Sequence, residues 1–113
     1  MNTRVLKNIF PVIFSLALAV AIGCFRQDRR TITVAVPQVK SAECFRHIQD
    51  AVKSVDGIEQ VSPNYERGTV DVTYNAMKLG IRNIEFVIAG AGFDANDTKA
   101  PADVRAKLPE GCR

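Results

Sequence analysis

Residues 31–57 of this 113-residue chain read TITVAVPQVKSAECFRHIQDAVKSVDG, and they decide the fold because the hydrophobic period changes within them. Apolar residues first alternate with polar or small ones, as in a β-strand with one buried face: Ile32, Val34 and Val36. After Pro37 they recur at helical spacing, at Cys44, Ile48, Ala51, Val52 and Val55. The stretch predicts a strand and then an amphipathic helix, with Ser41 as N-cap and an end at Gly57.

The sequence beyond Gly57 repeats both patterns. Ile58 to Tyr65 and Val70 to Tyr74 predict two strands that form a hairpin, and Pro63 places the first of them at a sheet edge because proline lacks a backbone donor. A second helix is predicted from apolar residues at Ile81, Ile84, Val87, Ile88 and Ala91, and residues 93–96 can add a brief fourth strand. The order β-α-β-β-α-β predicts an α+β, ferredoxin-like two-layer sandwich over residues 31–96, followed by a C-terminal extension, residues 97–113.

Residues 1–23 have the composition of an export signal. Arg4 and Lys7 precede an apolar stretch that ends in small residues, and no acidic residue interrupts it. The order Ala-Ile-Gly before Cys24 resembles a bacterial lipobox, in which the cysteine receives a diacylglyceryl group and becomes the new N-terminus. Cleavage after Ala21 by an ordinary signal peptidase and retention as an anchor are the alternatives. We expect a lipoprotein of the bacterial cell envelope, facing the periplasm or the exterior, with residues 24–30 as a tether.

The remaining domain is nearly neutral. Thirteen of the fifteen Lys and Arg residues and all twelve acidic residues lie beyond Gly23, so the basic character of the whole chain comes partly from the export segment. The run from Arg67 to Tyr74 superficially follows an RNA-binding strand motif. Because Thr69 and Asp71 stand where stacking aromatic rings are needed, nucleic acid is excluded as a partner.

The polar residues do not predict an enzyme. His47, Asp50 and Ser54 share one helix face, but that face is expected to be solvated and to lack an oxyanion donor. Asp94 and Asp97 lie in a loop, where acidic residues more commonly fix turns than transfer protons.

Cys44 is the strongest candidate for a metal-binding residue. It lies at the N-terminus of the first predicted helix, where backbone N–H groups and the helix dipole stabilise a thiolate. A thiolate binds soft metal ions such as Cu(I), Zn(II) or Hg(II). The alternative is that Cys44 is one small apolar member of the helix stripe.

With these elements, residues 31–95 resemble a heavy-metal-associated domain, the family of copper chaperones, metal-ATPase N-terminal domains and periplasmic mercury-binding proteins. The resemblance is carried by the strand at 32–36, the runs 44–52 and 55–58, Val61, the pair of valines at 70–72 with Tyr74-Asn75, and the run 84–95. Family members carry Gly-Met-x-Cys-x-x-Cys in the first loop. In this chain those four positions hold Gln38, Val39, Ser41 and Cys44, so the first cysteine of the pair is a serine.

The resemblance implies a soft metal cargo, Cu(I), Hg(II) or Zn(II), bound through Cys44. Cys112 is the expected replacement for the missing thiol, because residues 107–112 resemble the Leu-Pro tail with terminal cysteines of short exported relatives. His47, three residues after Cys44, is a candidate third ligand. Outside the cytosol the same two cysteines can instead form a structural disulfide, and the sequence leaves both outcomes open.

Two functions follow from these alternatives. In the first, the protein is a monomeric, lipid-anchored carrier that holds soft metal or passes it to a metal transporter or another metal-binding domain of the envelope. In the second, it is a degenerate family member without a metal function. A Cys44–Cys112 disulfide then stabilises it, and a sheet edge or helix face binds an envelope protein.

Overall fold

The computed structural model of the protein describes residues 27–113. The predicted signal segment and the predicted lipidation site, Cys24, lie outside the described residues. Within residues 27–113, no helix is both long and apolar enough to cross a membrane.

The elements follow the predicted order. They are β1 (Arg29–Ala35), α1 (Ala42–Lys53), β2 (Ile58–Asn64), β3 (Thr69–Asn75), α2 (Ile81–Gly90), a short α3 (Ala102–Ala106) and a final 3-10 turn (Glu110–Cys112). The strands form an antiparallel sheet in the order β1-β3-β2. The ferredoxin-like α+β fold is confirmed.

The first strand begins earlier than the hydrophobic alternation indicates. Arg29 and Arg30, which the sequence places in the tether, belong to β1 and pair with Asn75 and Tyr74 of β3. Their side chains form ion pairs with Glu59 and Asp28. Backbone pairing with β3 extends the strand here without any apolar side chain to mark it.

The core lies between the sheet and the two long helices. Alternate residues of β1 and β3 point into it, and the apolar stripes of α1 and α2 cover them; its fully buried members include Val34, Val36, Val70, Val72, Ile48, Ile84, Ile88 and Phe93. On the opposite face, hydrogen bonds join Thr31 to Thr73 and Thr33 to Asp71. The two cysteines of interest, Cys44 and Cys112, are part of the buried cluster.

The predicted N-cap of the first helix and the predicted edge strand are confirmed, whereas α1 ends at Lys53, before the predicted end at Gly57. Ser41 is the N-cap of α1, and its Oγ accepts a hydrogen bond from the Cys44 N–H at 3.4 Å. Gly57 takes a positive φ of 105° in the turn that leads to β2. Pro63 lies in β2, which is the edge strand next to β3.

The segment predicted as a brief fourth strand makes one backbone contact with β1. The Asn96 N–H donates to the Ala35 carbonyl at 2.9 Å, and the Ala35 N–H donates to the Asn96 side-chain Oδ1 at 2.8 Å. Asn96 has a φ of 51°, which turns the chain, and the isolated bridge between Ala95 and Thr98 closes that turn. Among the described residues the sheet therefore has three strands.

Candidate metal centre

Cys44 and Cys112 are joined by a disulfide. Their Cα atoms are 5.4 Å apart although the residues are separated by 68 positions in the sequence. Cys44 is 1% and Cys112 is 2% exposed. Of the two outcomes that the sequence leaves open for this pair, the structure contains the disulfide.

The first loop and α1 place Cys44. The residue lies in the first turn of α1, and the cap made by Ser41 fixes the start of that turn. The Ser41 hydroxyl also donates to the Cys44 Sγ at 3.3 Å. The position that holds a cysteine in the family motif is therefore close to the Cys44 sulfur, but it carries an oxygen, which is a poor ligand for soft metal ions.

Two residues in the middle of the first loop are buried, although the residues on either side of them are exposed. Val39 is fully buried and Gln38 is 6% exposed. The Gln38 amide donates to the Asp94 Oδ2 at 3.0 Å, and its Oε1 accepts from the Asp94 N–H at 3.2 Å. Gln38 therefore fastens the first loop to the segment that follows α2.

Asp94 joins three parts of the chain. Besides Gln38, its carboxylate accepts from the Ala100 N–H at 2.9 Å and from the Arg105 guanidinium at 3.0 Å, and Lys99 lies 3.8 Å away. The pKa of Asp94 lies below its usual value, chiefly because the carboxylate accepts a hydrogen bond from the Ala100 N–H. Gln38, Arg105 and Lys99 lower this pKa further, and burial opposes them. As expected for a loop acid, Asp94 fixes a turn; in addition it ties the C-terminal extension to the first loop.

The C-terminal extension continues from this network into the core. Leu108 is 5% exposed and belongs to the same buried cluster as the two cysteines. It packs so closely over Gly92 that a Cβ there would lie 2.8 Å from the Leu108 Cδ1. The Arg113 guanidinium donates to the Leu108 carbonyl at 2.9 Å, which turns the chain end and holds the segment around Cys112.

His47 is not gathered with the two cysteines. It lies half-buried on α1, three residues after Cys44. In the part of the chain that the structure describes, no group of three or more His, Cys, Asp or Glu side chains is arranged to hold a metal ion. The disulfide-bonded sulfur atoms of Cys44 and Cys112 are therefore the pair of soft atoms that this structure brings together.

The sequence indicates the two cysteines but not the residues that bring them together. Gln38, Asp94 and Arg105 are far apart in the sequence, and each is unremarkable alone. One signal was present: a glutamine stands at the motif position where the family carries glycine. A glutamine at a loop position where the family has glycine adds a side-chain amide, and an amide that becomes buried needs a hydrogen-bond partner.

Comparison with known proteins identifies the domain. The heavy-metal-associated domain model matches residues 33–94, more than half of the chain. The mercuric transport protein periplasmic component of Shigella flexneri is 29% identical over 91 residues, which cover 80% of this chain and 97% of that protein. The copper chaperone CopZ of Bacillus subtilis is 31% identical over 62 residues, which cover 55% of this chain and 90% of CopZ.

Solved structures agree on the fold. Oxidized MerP from Ralstonia metallidurans superposes with a TM-score of 0.55 at 24% identity, covering 60% of this chain and 94% of that one. The mercury-bound form of MerP gives a TM-score of 0.50 at 26% identity, with the same coverage of both chains. Cys112 lies beyond the matched range, so the second sulfur of the disulfide comes from outside the matched domain. With its match over residues 33–94 and its three-stranded sheet covered by two helices, this chain belongs to the heavy-metal-associated domain family.

Proposed function

We propose that this protein is an exported, lipid-anchored carrier of a soft metal ion, and that Cys44 and Cys112 bind the ion when their disulfide is reduced. The cargo is of the Cu(I), Hg(II) and Zn(II) class. Mercury and copper are favoured within this class, because one relative of this protein is a mercuric transport protein and another is a copper chaperone. Binding and ligand exchange, rather than catalysis, are the proposed activities.

The meeting of two sulfur atoms at the family's metal loop carries this proposal. Only one cysteine of the usual motif remains, at Cys44, and the C-terminal extension supplies a second sulfur to the same place. Two thiolates that can form a disulfide are also close enough to bind Hg(II) or Cu(I) between them after reduction, because these ions accept two sulfur ligands.

Loading requires a reducing step. A dithiol partner attacks the disulfide, its two thiols become a disulfide, and Cys44 and Cys112 each gain a proton or remain as thiolates. A metal ion then displaces the remaining protons. Delivery is the exchange of these two sulfur ligands for cysteines of a metal transporter or of another metal-binding domain in the envelope.

Burial limits when the exchange can occur. Both cysteines are almost inaccessible in the oxidised protein. The C-terminal extension, here called the tail, is held in place by the packing of Leu108 and by hydrogen bonds to Asp94. Reduction removes the covalent tie, so the last residues can move aside without unfolding the sandwich. The oxidised form is thus the closed form of the carrier.

Thiol counting combined with metal loading tests the proposal. Protein purified without reductant should have no reactive thiol at residues 44 and 112 and should not bind Hg(II) tightly. After reduction and removal of the reductant, native mass spectrometry should show one Hg(II) per chain with two protons displaced. Cys44→Ser should lose this adduct, whereas His47→Ala should keep it if the dithiolate is sufficient.

A second function is favoured by the same burial. If the reduced protein folds, has two free thiols and still binds Hg(II) no better than Cys44→Ser does, then the disulfide is a structural cross-link. The protein is in that case a degenerate family member that serves as an interaction module of the envelope. Identical weak binding by the two proteins would show that the cysteine pair has a structural role and no metal role.

A further inference from the structure

We propose that the end of the domain where the polypeptide enters β1 lies against the bilayer, with Met77 and Ile81 as the side chains that contact it. This inference rests on the lipid anchor of the proposed function. The opposite end, which carries Cys44 and Cys112, then faces away from the membrane.

The entry point of the chain is defined by hydrogen bonds at one end of the sheet. The Ala76 N–H donates to the Asp28 carbonyl at 2.7 Å, and the Asn75 N–H donates to the Gly57 carbonyl at 2.8 Å. Residues 28, 57 and 76 therefore share one end, which we call the entry pole. The turn that joins β3 to α2 follows at once and adds residues 77–80 to this pole.

The tether is too short to hold the entry pole far from an anchor. Only residues 25–27 separate Cys24 from Asp28, and four residue steps span at most about 14 Å even when fully extended. In the proposed lipoprotein the lipid is carried by Cys24, which lies immediately before them in the sequence. An anchor at this position holds the entry pole within contact distance of the bilayer surface.

The entry pole exposes apolar side chains. Among the described residues four large hydrophobic side chains are exposed, and two of them lie at this pole: Met77 at 70% and Ile81 at 49%. The charged side chains around them are neutralised by ion pairs, including Arg29 with Glu59 and Lys78 with Asp56. Membrane contact here depends on apolar insertion, not on attraction to anionic lipid.

The metal loop is at the other end of the strands. β1 spans seven residues from the entry pole to the first loop, a distance of about 20 Å in extended chain. The turn at residues 65–68 lies at this far end too, since the Val36 N–H donates to the Gly68 carbonyl. A partner must therefore reach the cysteines from the aqueous side, with a domain that projects from the membrane.

Single tryptophans test the orientation, because the chain contains none of its own. The full-length, processed protein is reconstituted into phosphatidylethanolamine–phosphatidylglycerol vesicles that contain a brominated phospholipid. Met77→Trp and Ile81→Trp should show blue-shifted emission and strong quenching by the bromine. Tyr65→Trp, a conservative change at an exposed aromatic residue of the far end, is the matched control and should show neither effect.

The outcomes separate the anchor from the orientation. If the protein floats with the vesicles but tryptophans at 77 and 81 are quenched no more than the one at 65, the proposed orientation is wrong and the anchor stands. If the protein does not float with vesicles, the anchor fails and the orientation fails with it. Neither result bears on metal binding, which the thiol and mercury measurements test without lipid.

Discussion

In the proposed carrier, the serine at position 41 is the reason that a distant cysteine has to supply the second sulfur ligand. The Ser41 Oγ lies 3.3 Å from the Cys44 sulfur, so the site retains the spacing of the family motif but has lost one soft donor. Cys112 brings a sulfur to the same helix turn from outside the domain. The proposal predicts that a thiol at position 41 can replace the thiol at position 112 as the source of the second thiolate.

A rescue experiment tests that interchange. Cys112→Ser should lose tight Hg(II) binding, and adding Ser41→Cys should restore it, because the new thiol lies in the first loop beside Cys44. Adding Ser54→Cys instead, at the other end of α1, provides the matched control and should restore nothing. The Hg(II) affinity of all three variants is measured in competition with a dithiol chelator. Equal rescue by Ser41→Cys and by Ser54→Cys would contradict the proposal.

Asp94 should be the polar side chain on which tail docking depends most. Asp94→Asn removes the charge that Arg105 and Lys99 face and leaves a weaker acceptor for the Ala100 N–H. We expect a loss of about 1.5–3 kcal/mol in the free energy of unfolding, the usual range for hydrogen bonds to a charged group. Asp103→Asn, an exposed acid of α3, should change little. Urea unfolding of both variants, with the disulfide intact, checks the difference.

The same carboxylate makes stability depend on pH. The pKa of Asp94 is lower in the folded protein than its ordinary value of 3.8. The ionised carboxylate therefore contributes fully to the free energy of unfolding well above pH 3.8, and this contribution disappears as the pH falls through the folded pKa. Wild type and Asp94→Asn should therefore differ most near neutral pH and converge in acid below about pH 4. A difference that grows on acidification would show that another group controls docking.

At the scale of elements, the close contact between the end of α2 and the tail is the feature that seats Cys112. Gly92 has a φ of 104°, and any side chain there would overlap Leu108. Gly92→Ala should destabilise the protein by about 1–3 kcal/mol, from backbone strain and displacement of Leu108 together. Thermal unfolding should show the loss.

A neighbouring glycine provides the control. Gly90 is the last residue of α2, and a Cβ there would meet nothing within 4 Å. Gly90→Ala should be neutral or stabilising by up to about 1 kcal/mol, because alanine is the better helix former. Equal losses in the two variants would mean that the contact with Leu108 does not matter.

At the scale of the whole molecule, the disulfide closes a loop across a separation of 68 residues, which makes it a large constraint on a small domain. In the chain-entropy account, a loop of this length is worth about 4 kcal/mol. Reduction should therefore lower the unfolding midpoint strongly, and the Cys44→Ser/Cys112→Ser double variant should match the reduced wild type. A midpoint that is insensitive to reductant would show that the tail packing alone holds the structure.

Periodicity predicted most of this fold, because each strand and helix has one apolar face. Ser41, Pro63 and the valines of β3 each carry a local signal that the structure confirms. The early start of β1 at Arg29 has no such signal, since backbone pairing with Asn75 decides it. Sequence patterns also could not predict how the tail packs against the domain, because Asp94, Arg105 and Leu108 act through contacts that form only in the folded chain.

The central claim is that the tail cysteine completes a metal site that the first loop has lost. Its most direct test is a titration of the fully reduced protein with Hg(II) in competition with a dithiol chelator, comparing wild type with Cys112→Ser. We expect one tightly bound ion per chain in the wild type and a large loss of affinity in Cys112→Ser, in which Cys44 is the only remaining thiol of the pair. Equal affinity in the two proteins would contradict the claim.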